Sequence, residues 1–76
     1  MKFIVVSVRD KCIGFTGVML SQNEVSARRD FRNYEENNPH PEDYDLYQIG
    51  EFDTSTGSLI PITPVMIQAG TEYCKM

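Results

Sequence analysis

One stretch restricts the fold of this chain more than any other: an alternating segment that ends in a turn. In Tyr44–Phe52, Tyr44, Leu46 and Gln48 point to one side, and Asp45, Tyr47 and Ile49 to the other, the period-2 pattern of a half-buried strand. Gly50 interrupts the alternation as a β-bulge does. Beyond it Phe52 is expected to face the core while Glu51 and Asp53 stay in water. Asp53-Thr54-Ser55-Thr56-Gly57 reads as a hairpin turn with Gly57 at positive φ. Ser58-Leu59-Ile60-Pro61-Ile62 returns as a second strand. Pro61 has no N–H to donate, so that strand belongs at a sheet edge.

The rest of the chain is read around this hairpin. Phe3-Ile4-Val5-Val6-Ser7-Val8 is apolar and β-branched, the pattern of a central strand buried on both faces. Residues 10–20 allow two readings, a short return strand over Phe15–Met19 or a structured loop, because Gly14 and Gly17 weaken a regular strand. Ser21-Gln22-Asn23-Glu24 has the form of a capping box, predicting a helix from Gln22 to about Glu36. Leu20, Ala27, Phe31 and Tyr34 share its apolar face, and Asn37-Asn38-Pro39 ends it. The expected fold class is α+β: a single small domain over residues 1–62, with one amphipathic helix packed on a three- to four-stranded antiparallel sheet. Phe31, Tyr34, Leu46 and Phe52 are expected to meet Ile4, Val6 or Val5, and Val8 in its core.

From Thr54 to Thr71 there is no charged residue. Residues 63–76 are expected to form an uncharged to weakly charged tail, docking on a partner or partly disordered, with Val65-Met66-Ile67 as a helical turn or an interface. A chain of 76 residues buries only about 60% of its unfolded surface, which favours a homodimer. Cys12 and Cys74 read as free thiols of a reducing cytoplasm. No run reaches the length of a membrane span, and no membrane partner is expected.

The net charge of −4 argues against strong nonspecific DNA binding, yet the basic residues are clustered. Arg28, Arg29 and Arg32 share one helix side, and Lys2, Arg9 and Lys11 extend the patch if the ends of the first strand lie near that face. Three guanidiniums on one face suit phosphate; given the acidic net charge, the residues alone favour a solvated face paired to Asp30, Glu35 or Glu36. Tyr34, Tyr44 and Tyr47 suit either base stacking or packing. His40, Glu42, Asp43 and Asp45 match no established metal loop, and no metal or other cofactor is expected. With no nucleophile–base pair and no glycine-rich phosphate loop, the chain reads as a non-enzyme.

The segment His40-Pro41-Glu42-Asp43-Tyr44-Asp45-Leu46-Tyr47, followed by Gly50-Glu51-Phe52-Asp53 and the turn at Gly57, resembles the signature of a small nonstructural protein family of gokushoviruses, a branch of the single-stranded DNA microviruses. Val8-Arg9-Asp10 is similar to that family's first strand end. Gln48 departs from the pattern where relatives carry a basic residue, and Val18-Met19-Leu20-Ser21 replaces a proline-containing stretch. The resemblance implies a DNA-binding protein of the host cytoplasm, absent from the virion, that turns replication toward single-strand synthesis and packaging. The implied partners are single-stranded DNA and the viral replication initiator or procapsid. A pure protein-docking module is the alternative.

Overall fold

The structure is a computed structural model that describes residues 1–72. Four strands form one antiparallel sheet: β1 (Lys2–Asp10), β2 (Gly14–Ser21), β3 (Tyr44–Asp53) and β4 (Leu59–Gln68). Their spatial order is β2-β1-β3-β4. A single helix, α1 (Glu24–Glu36), links β2 to β3, and short 3-10 turns cover Pro41–Asp43 and Gly70–Glu72. The expected α+β class is therefore the observed one. Among the described residues no helix is long and apolar enough to cross a membrane.

The topology is two hairpins joined side by side. β1–β2 is one, β3–β4 is the other, and β1 pairs with β3 along its whole length, from Lys2↔Asp53 to Asp10↔Tyr44. β1 is the central strand that its composition predicts: Val5, Val6, Ser7 and Val8 are all buried. β2 resolves the ambiguity of residues 10–20 as a full strand. Its glycine is accommodated by a bulge, since Val6 pairs with Met19 but Val8 with Thr16. Gly17 within the bulge has a φ of +68°, a value that an L-residue rarely adopts. The Ser7 hydroxyl donates to the Gly17 carbonyl at 2.7 Å and so fills the gap in the ladder.

The helix starts two residues later than expected. Ser21 is the last residue of β2, and Asn23 is the cap: its Oδ1 accepts from the Ser26 amide at 2.9 Å. The capping box at Ser21 is thus corrected, because Ser21 is held in the sheet opposite Ile4. The buried residues of α1 are Ala27, Phe31 and Glu35, each four apart. Tyr34 is 43% exposed and Leu20 lies in β2, 49% exposed, so neither belongs to the apolar stripe of the helix.

The core is Val6, Val8, Ala27, Phe31 and Leu46, with Ile4, Tyr44 and Ile67 packed against it. Phe52 is absent from it. Val5 pairs with Gly50 and Val6 with Gln48, so Ile49 is an extra residue in β3. One inserted residue reverses every later side chain. Phe52 therefore lies on the face away from α1, opposite Phe3. The bulge itself is as expected, and Gly50 is required there, because a Cβ would stand 2.7 Å from the Ile60 carbonyl oxygen.

The hairpin turn is also as expected. Gly57 has a φ of +76° and its amide donates to the Asp53 carbonyl at 2.8 Å, while the Ser55 amide donates to Asp53 Oδ1. β4 is an edge strand, as Pro61 requires, but it runs six residues past Ile62. Residues 63–68 are thus sheet and not part of a separate tail, and Val65-Met66-Ile67 is strand, not the helical turn that was one of its two readings. Gly50 pairs with Pro61 and Gln48 with Val65, so residues 62–64 bulge out of the ladder. Pro64 sits in that bulge, where no ladder N–H is needed. Cys12 is an exposed free thiol; Cys74 lies outside the described residues.

Phe31 is 2% exposed at the centre of the core. Phe31→Ala is expected to cost about 3–5 kcal/mol, most of the stability of a chain this size, whereas Tyr34→Ala is expected to cost much less. Urea denaturation of both variants tests this; equal losses would refute the assignment of Phe31 as the core anchor.

Candidate nucleic-acid interface

Arg28, Arg29 and Arg32 line an open cleft of about 360 Å³ with Gln68 of β4. The helix brings the arginines together because positions three and four apart lie on neighbouring turns. Burial of Ala27 and Phe31 against the sheet then fixes the orientation of α1 beside β4. The three arginines differ in their engagements. Arg28 donates to Glu24 Oε1 at 2.6 Å and to the Ile67 carbonyl at 3.1 Å, which ties the helix to the edge strand. Arg29 and Arg32 have no carboxylate within ion-pair distance among the described residues. Two guanidiniums beside a neutral amide make an anion-accepting cleft, with the fork geometry that phosphate oxygens match.

Arg9 and Lys11 do not join this cleft. Lys11 is held at the far end of β1, where its Nζ donates to the Glu42 carbonyl at 2.7 Å and its amide to the Asp43 carbonyl at 2.9 Å. Arg9 sits in the middle of the sheet, paired with Phe15 on one side and Asp45 on the other. The continuous basic patch expected from sequence is therefore reduced to the helix cluster, because the turn after β1 is pinned to the Pro41–Asp43 turn.

The stretch His40–Gly57 has structural roles almost throughout. The His40 amide donates to Asn38 Oδ1, and Pro41 opens the 3-10 turn that Glu42 and Asp43 complete. Tyr44 meets Tyr34 edge to face with centroids 5.6 Å apart. Asp45 is buried and accepts from the Gly70 amide at 2.9 Å. Gly70 is forced, since a Cβ there would collide with the carbonyl oxygens of Pro41 and Tyr44. Leu46 is core; Tyr47 meets Phe15 edge to face at 5.2 Å. Glu51 pairs with Ile4 and Ile60 across the sheet. His40, Glu42 and Asp43 bring ligand atoms within 4.8 Å of one another, with His40 and Glu42 exposed. Water competes for such an open trio, so it makes a poor metal cage.

Two residues of interest were not picked out by sequence reasoning. Gln68 reaches the cleft only because β4 is longer than its prolines suggest. Glu35, one of three acids that could pair with the arginines on a solvated face, is instead 1% exposed, and among the described residues neither carboxylate oxygen has a hydrogen-bond partner. Strict four-residue spacing from Ala27 and Phe31 is the signal that places it on the buried face. Burial pushes its carboxyl up to about 7, with Asp45 and Glu42 adding to the effect and Lys11 opposing it.

That shift makes stability depend on pH. The folded chain retains the Glu35 proton up to about pH 7, whereas the unfolded chain releases it near 4.5. The folded state binds more protons between these values, so stability falls as pH rises through that window and changes no further above it. The full loss from this group is ~3 kcal/mol. Glu35→Gln removes the dependence and is expected to gain stability relative to the parent as pH rises from 4.5 to 7. Denaturation midpoints of both proteins across that range check it; a difference independent of pH would refute it.

With the geometry in place, comparison with known proteins adds one positive finding. A family model described as Phage ORF5 protein matches residues 3–73. No curated protein matches, and no solved structure matches.

Proposed function

The chain belongs to the phage ORF5 protein family, and on that premise we propose that it is a nonstructural DNA-binding regulator of a gokushovirus-type microvirus. It acts without catalysis in the cytoplasm of the bacterial host. It binds single-stranded DNA, alone or within the replication complex, and favours single-strand synthesis and packaging. The observation that carries this reading is the cleft on α1, where Arg29 and Arg32 have no acidic partner among the described residues. Arg28 serves chiefly to brace the helix on β4. At a net charge of −4, only such a local field attracts phosphate, and binding is correspondingly weak. The second reading, docking on a replication initiator or procapsid protein, is favoured by the apolar residues left exposed on the sheet, among them Phe15, Leu20, Leu59 and Met66.

Each phosphate neutralised on a single strand contributes about −0.7 to the slope of log affinity against log salt. Arg29 and Arg32 together therefore predict a slope of about −1.4, and alanine at either position reduces its magnitude by about 0.7. Folding stability stays nearly unchanged in both variants, because both side chains project from the exposed side of the helix. Oligonucleotide titrations of parent, Arg29→Ala and Arg32→Ala across a salt series test this. Unchanged affinity and slope in both folded variants would give the protein-docking reading first place.

A further inference from the structure

The sheet has two faces and α1 covers one of them. Pairing register assigns the other face without ambiguity: Val5 lies there between Leu20 and Gly50, and Tyr47 lies there beside Met66. Antiparallel sheets that end in water usually show polar side chains on the wet face. This one shows Phe15, Leu20, Leu59 and Met66, which are 48%, 49%, 64% and 47% exposed. Charge is almost absent from it. Arg9 is half-buried, and Asp45 is buried with its carboxylate capped by the Gly70 amide.

We propose that this face is a self-association surface, on which a second copy of the chain packs sheet against sheet. Three observations select that occupant. A single guanidinium cannot hold a phosphate backbone, so nucleic acid is poorly served here, whereas the cleft on the opposite side of the sheet has the arginines. Two copies at −4 each repel one another, and the nearly uncharged face is where they approach at least electrostatic cost. The size is also adequate. Four strands of eight to ten residues give a footprint of roughly 600 Å², and side-chain relief brings the accessible area toward the ~800 Å² per partner of a standard interface. Aligned packing of two twisted sheets then buries both apolar faces and leaves both helices, with their arginine clefts, on the outside.

The test uses the full chain. Sedimentation equilibrium from low to high micromolar concentration is expected to show a dimer for the parent and a monomer for Leu20→Glu/Met66→Glu. Val25→Glu, at a 77% exposed position of α1, is expected to leave the dimer intact. Because a doubly charged face can disturb folding, methyl NMR of the parent provides a second measurement. Dilution is expected to move the Leu20, Leu59 and Met66 methyl signals and leave Val25 in place. A parent that stays monomeric at high micromolar concentration overturns the proposal, as does a dimer broken by Val25→Glu and not by the sheet-face variant. Movement of the same methyls on adding an oligonucleotide to a monomeric parent also overturns it, in favour of a base-stacking face.

Discussion

The pairing of β1 with β3 is the contact on which everything else depends. It places Val6 and Val8 beside Leu46 and so creates the surface that Phe31 and Ala27 cover. It also satisfies the backbone of a strand whose Val5–Val8 segment is cut off from water, where an unpaired amide or carbonyl is costly. Without it the chain is a β1–β2 hairpin and a β3–β4 hairpin, and an isolated two-stranded ribbon is marginal in water. The helix has little to pack on until both hairpins are joined.

Much of this frame was legible in the residues. The β-branched run at Phe3–Val8 marks the centre, Pro61 marks an edge, and Asp53–Gly57 marks a turn, each for a local steric or hydrogen-bonding reason. What escaped was decided by register and competition. The Ile49 bulge moves Phe52 to the far face, and no local rule says which residue near Gly50 is the extra one. Ser21 and Asn23 are both good caps, and the sheet claimed Ser21. Pro61 and Pro64 suggest an early end to β4, yet an edge strand with a bulge tolerates both. Of the candidate site, the arginine cluster was legible from helical spacing. The separation of Arg9 and Lys11 from it was not, because it depends on a tertiary contact between Lys11 and the Pro41–Asp43 turn.

The stretch His40–Gly57 and the cleft divide the labour of the molecule. The first is largely scaffold: turn, buried cap, core leucine, close-approach glycine. The second is a surface feature of α1 and β4 that the scaffold positions. The residues of that stretch are therefore needed chiefly for folding, while the phosphate-binding candidates lie outside it. Glu35 stands apart from both, an acid buried beneath the helix without a hydrogen-bond partner among the described residues, where an amide or apolar residue would be the more stabilising choice.

The two-hairpin topology also divides the chain covalently. Among the described residues, the covalent link between the β1-β2-α1 half and the β3-β4 half is the short segment after α1, where Asn37, Pro39 and His40 are exposed. The halves are otherwise joined by the β1–β3 ladder, the cover of α1 and hydrogen bonds at the two ends of β1, from Lys11 to the Glu42 and Asp43 carbonyls and from Thr54 to the Met1 carbonyl. A chain nicked in that segment is therefore expected to persist as a noncovalent pair, each half supplying the strand edge that the other lacks. The fold is in effect a split protein whose tether sets the local concentration of its two pieces.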